Sequence, residues 1–143
     1  MPPLTTKTEL RREVLRRIAG ARLQEFETLR TATPPHYTAA MYLGGYAVEA
    51  LLKCAICDAL NLEELPVAFH VHDLDVLLFF SGRHSAIQAH PDVWQSFTNI
   101  QANWSERLRY EEPLFLTKGR CDDMAVWLSD PLTGVVPWLE ARL

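Results

Sequence analysis

Cysteine is scarce in this 143-residue chain, and the three present, Cys54, Cys57 and Cys121, are an odd number that makes no disulfide framework. Phosphate-cradling glycine loops are missing, because the only adjacent pair, Gly44 and Gly45, falls inside an apolar helical run where the backbone N–H groups are already committed. No Gly-x-Ser-x-Gly elbow occurs, so nucleophilic catalysis by serine has no signature. The opening residues, Met1 to Lys7, contain no apolar signal-peptide core, and no run approaches the ~18 apolar residues of a membrane span. A cytoplasmic location without a membrane partner is therefore expected. Gly/Ser linkers, internal repeats and low-complexity tracts are also absent, and the length suits a single domain over residues 1–143 with one core.

What is present centres on the run from Ala39 to Cys57. Met41, Gly45, Val48, Leu52 and Ala55 share one flank of a helix, and Ala40, Ala47, Leu51 and Cys54 occupy others. A helix that is apolar nearly all round is a central one. One narrow polar line crosses it: Tyr42, Tyr46, Glu49 and Lys53 follow i, i+4, i+7, i+11 spacing.

The other segments read as helices packed around that run. Thr6 and Glu9 fit a capping box before a first helix that reaches about Thr31, with Leu10, Val14, Leu15, Ile18, Ala21 and Leu29 on one face. Pro34 and Pro35 end it, and the central helix follows from about His36 to Asn61. Phe69 to Phe80 is a short helix with Asp73 at its positive end, because no other strand candidate exists to pair with it. From Pro91 a fourth helix places Val93, Phe97, Ile100, Trp104 and Leu108 on one side, and Ser96 among the polar residues on the other. Thr117 to Ser129 forms another, with Met124, Trp127 and Leu128 inward, and Asp130-Pro131 reads as an N-cap and first-turn pair that restarts the helix. The fold class is all-α, an up-down bundle of four to five main helices.

Charge is distributed unevenly. Residues 1–23 carry Lys7, Arg11, Arg12, Arg16, Arg17 and Arg22 against Glu9 and Glu13, a net +4, whereas the whole chain carries −4. The arginines scatter around the helix, which reads as a solvated face more than as a phosphate-binding stripe.

Three constellations could carry chemistry. Cys54-x2-Cys57 followed by His70-x-His72 imitates a zinc finger, but the histidines lack the three to five intervening residues that would put both on one helical face, so no metal site and no cofactor are expected. Arg83 and His90 lie in a polar connector bracketed by Ser81-Gly82 and Pro91, where they read either as exposed loop residues or as a pair in which the guanidinium holds a phosphate while the imidazole moves a proton. Glu49 and Lys53 form an i, i+4 pair on a buried helix and need other groups to complete their hydrogen bonds. Tyr46, His72, Asp73, Arg109 and Tyr110 are the candidates, giving either a structural polar network or a small anionic-ligand pocket.

The run Tyr42-Leu-Gly-Gly-Tyr-Ala-Val-Glu-Ala-Leu-Leu-Lys53, then His72-Asp-Leu74, then Arg109-Tyr110 before a last amphipathic helix, resembles the HEPN domain, the "higher eukaryotes and prokaryotes nucleotide-binding" helical bundle, over about residues 36–140. The resemblance implies a homodimer associated with RNA or nucleotides, commonly in bacterial toxin–antitoxin or defence systems and often beside a nucleotidyltransferase-type partner protein. Many members of that family are metal-independent ribonucleases with an Arg-x4–6-His motif, whose spacing Arg83 and His90 match. The family carries that motif on a late helix facing the dimer cleft, whereas here it precedes the fourth helix. The first expectation is therefore a non-catalytic accessory or interaction module, and the alternative is a ribonuclease toxin using Arg83 and His90.

Overall fold

The computed structural model describes residues 10–113 and 115–143. Among the described residues the chain is all-α, with helices α1 (Arg12–Arg30), α2 (Tyr37–Ala59), α3 (Leu74–Phe80), α4 (His84–Gln88), α5 (Pro91–Asn103), α6 (Lys118–Ser129) and α7 (Val135–Glu140). Two 3₁₀ turns, Val67–Phe69 and Glu106–Tyr110, complete it. Helix α2 is the hub, packed against α1, α3, α6, α7 and the second 3₁₀ turn. Every residue from Ala47 to Cys57 is buried, which is what a helix without a wet side requires. The same helix is long and apolar enough to cross a membrane despite Glu49, Lys53 and Asp58, but 83% of its most apolar window is buried inside the structure. It is a core helix. Around it Phe26, Met41, Leu51, Ile56, Leu77, Phe97, Ile100 and Leu128 form one contiguous apolar cluster.

Several elements differ from the sequence pattern, each for a local reason. The capping box at Thr6 and Glu9 lies outside the described residues, and Arg11 holds the N-cap position of α1 without a side-chain cap. The most buried residues of α1 are Leu15, Ala19 and Phe26, while Ala21 is exposed. Helix α5 stops at Asn103, ahead of Leu108, because Trp104 turns to extended backbone and its indole Nε1 donates to the Tyr42 carbonyl at 2.9 Å. Ser96 of α5 is buried, and Trp127 of α6 is only half-buried beside the inward Met124 and Leu128. Asp130 does receive backbone N–H groups, from Leu132 and Thr133, both at 2.9 Å, yet they close a turn and α7 begins only at Val135. Residues 84–88, read as polar connector, form α4, whose Ile87 is fully buried.

The three thiols lie in this core. Burial pushes Cys121 up to about 11 and raises Cys54 and Cys57 as well. A thiol-reactive dye at pH 8 is expected to leave all three untouched in the folded protein and to titrate three on unfolding. Labelling of any of them at the rate of a free thiol under native conditions would contradict this packing.

Candidate functional site

Glu49 and Lys53 lie one turn apart on the most enclosed part of α2. Lys53 Nζ donates to Glu49 Oε2 at 3.2 Å, and the two side chains are 7% and 1% exposed. Glu49 does not rely on lysine alone. The segment leading into α3 brings His72 over the helix, and its Nδ1 lies 2.7 Å from Glu49 Oε1. Each carboxylate oxygen thus has its own polar partner, which is what a carboxyl group removed from water needs. Tyr46 stands one turn before Glu49, half-buried and edge-to-face with Tyr42 at 5.7 Å. Burial, reinforced by the Glu49 carboxylate, raises its pKa, so the phenol stays neutral.

The other expected members of the network do not join this cluster. Asp73 is the N-cap of α3, where Oδ1 accepts from the backbone N–H groups of Asp75 at 2.9 Å and Val76 at 3.1 Å. Arg109 and Tyr110 sit exposed on the second 3₁₀ turn, with the guanidinium 4.8 Å from the Tyr110 ring centroid. Neighbouring Tyr110 and then a hydrogen bond to Tyr42 raise the Arg109 pKa, keeping it charged. The single network read from the sequence is therefore two clusters, with Tyr46 and Tyr42 between them.

Each cluster borders a cavity. The first, about 570 Å³, is lined by Pro34, Pro35, His36, Thr38, Ala39, Tyr42, Leu108, Arg109, Glu111 and Pro113. It contains the start of α2, where no side chain caps the backbone N–H groups and the first turn carries no acidic residue. The second, about 580 Å³, has His70, Val71, His72, Asp73 and Leu74 on one side of the chain and Gln101, Trp104, Ser105 and Glu106 on the other. No protein-family model, curated protein or solved structure matches this chain. The chemistry of both cavities therefore rests on their own atoms.

Arg83 and His90 lie at the two ends of α4 and do not bond to each other. Arg83 Nη2 donates to Asp58 Oδ2 at 2.8 Å and to the Arg142 carbonyl at 2.7 Å, while Nη1 donates to the Ser81 carbonyl at 2.9 Å. Its guanidinium ties α2, α4 and the C-terminal turn together, so both terminal nitrogens are occupied. His90 is exposed at the N-cap of α5, with its ring 6.0 Å from that of Trp138. Cys54 and Cys57 are buried on α2, away from His70 and His72, and no group of three potential metal ligands occurs among the described residues. Sequence reasoning missed His36 as a lining residue of the first cavity and Asp58 as the anchor of Arg83. Tyr42 was visible on the polar line of α2, but only the fold shows that it faces Arg109.

Proposed function

We propose that the chain is a HEPN-like module, not a ribonuclease, that associates with RNA or nucleotides through the first cavity. In this reading it acts as a cytoplasmic homodimer, an accessory component of a toxin–antitoxin or defence system with a nucleotidyltransferase-type partner. The observation that carries the binding site is Arg109 stacked on the exposed Tyr110 at the rim of the first cavity. A planar cation and an aromatic face together suit a nucleobase and its phosphate. The uncapped start of α2 adds positive potential on the same side, and the His36 imidazole lines the cavity there as a hydrogen-bonding group. Glu111 would repel a phosphate but can accept from ribose hydroxyls, which orients the ligand.

Labelled single-stranded RNA and adenosine monophosphate, titrated at two salt concentrations, test this. Wild type is expected to bind more weakly at the higher salt, and Arg109→Ala or Tyr110→Ala to weaken binding about tenfold, from the stack each interrupts. If neither probe binds, or both variants bind like wild type, the site is not there. The ribonuclease alternative needs Arg83 to grip a phosphate, yet its terminal nitrogens already serve Asp58 and two carbonyls. EDTA-insensitive RNA cleavage that disappears in a folded His90→Ala variant would overturn this reading in favour of the ribonuclease.

A further inference from the structure

His72 is where the buried charge of α2 reaches a cavity. Glu49, when ionised, can only accept hydrogen bonds, so His72 Nδ1 must be the protonated nitrogen at 2.7 Å. In the neutral ring this leaves the Nε2 lone pair bare. Nε2 has no hydrogen-bond partner among the described residues, and the side chain is 40% exposed in the wall of the second cavity. The buried lysine acquires a purpose here: its ammonium gives Glu49 a hydrogen-bonded partner where water is excluded, and Glu49 in turn orients the His72 ring.

We propose that this second cavity is a general-base site for hydrolysis of a small, uncharged carboxylic ester, with His72 as the catalytic residue and Glu49 as its positioning residue. The substrate class follows from the walls. Asp73 and Glu106 line the cavity and no lysine or arginine does, which disfavours phosphates and carboxylates. Val71, Leu74 and Trp104 give an apolar seat for an acyl group. In the reaction a water O–H proton passes to His72 Nε2 as the water oxygen bonds to the ester carbonyl carbon, and the carbonyl π pair moves onto its oxygen. The imidazolium formed is stabilised by Glu49. Gln101, whose side chain has no partner among the described residues, borders the same cavity and can donate to the oxyanion. On collapse the ester C–O bond breaks, the leaving alkoxide takes the proton back from Nε2, and an alcohol and a carboxylic acid result with His72 neutral again.

The test uses the full chain and 4-nitrophenyl acetate. Wild type is expected to show saturable hydrolysis, and His72→Gln to lose about 100-fold in kcat/KM, the contribution of a positioned base. His84→Gln, which removes a different imidazole, should keep the wild-type rate. Nitrogen-15 NMR of wild type should report the Nδ1-protonated tautomer of His72, a reading that needs no variant to fold. An Nε2-protonated tautomer, a folded His72→Gln with wild-type activity, or a wild-type rate no greater than that of the urea-unfolded chain would each overturn the proposal.

Discussion

Gly45→Ala is expected to lower the melting temperature by about 10 °C, the consequence of roughly 3 kcal/mol of overpacking in a chain of this size. A Cβ at this position would stand 2.2 Å from Trp104 Cδ1 and 2.3 Å from Cγ and Nε1, distances that no real Cβ adopts. The indole cannot swing aside freely, because Trp104 is only 6% exposed and its Nε1 is bonded to the Tyr42 carbonyl. Intrinsic helix propensity favours alanine by about 1 kcal/mol, so sterics must win for the sign to be negative. Gly20 supplies the control. It is exposed on α1 with nothing within 4 Å of a built Cβ, so Gly20→Ala is expected to stabilise by about 0.5–1 kcal/mol. Gly44→Ala should fall between them, since its overlaps are milder than those at Gly45, with Leu128 Cδ1 at 2.9 Å and Phe26 Cδ2 at 3.0 Å. Thermal unfolding of the three variants checks the order. A Gly45→Ala protein as stable as wild type would mean that Trp104 does not pack on α2 as described. Trp104 also walls the second cavity, so the same substitution should disturb the site along with the core.

Periodicity carried most of the fold. The 3.6-residue spacing of α1, α2, α5 and α6 depends on burial, and burial is written in the order of apolar residues. The pattern Val93, Phe97, Ile100, Trp104 and Leu108 even survives the end of α5, since all five are buried although the last two lie beyond the helix. What periodicity could not show was the hydrogen bond that ends it, because the Tyr42 carbonyl is 62 residues away in sequence. Spacing also does not say that an indole and the side chains of Phe26 and Leu128 fill the room left beside α2 at Gly44 and Gly45. Glu49 and Lys53 were legible as a pair because helical geometry fixes i and i+4. His72 as its third member was one candidate among five, and the structure selects it by a 2.7 Å contact while placing Asp73, Arg109 and Tyr110 elsewhere. Tertiary contacts of this kind depend on loop paths, for which sequence carries no period.

Lys53→Met is the second large effect, an expected loss of about 3–5 kcal/mol, since it leaves a buried carboxylate short of a partner. Glu49 is 1% exposed, so water cannot replace the ammonium, and His72 can compensate only by taking up a proton. Removing both charges is a different matter. Glu49→Leu with Lys53→Met replaces a desolvated ion pair by apolar groups of similar size, and His72, which is partly exposed, can turn its Nδ1 to water. The double variant is expected to recover most of the lost stability, giving a coupling energy of about 2–3 kcal/mol in a double-mutant cycle. Exposed pairs such as Lys118 with Asp122 should show almost no coupling under the same treatment. Chemical denaturation of the four proteins measures this, and additive losses would show that Glu49 and Lys53 do not act as a unit. The double variant also separates two roles of the buried pair. It should fold well yet leave the His72 tautomer unfixed, so stability would return without hydrolysis, whereas a pair that served packing alone would let both return together.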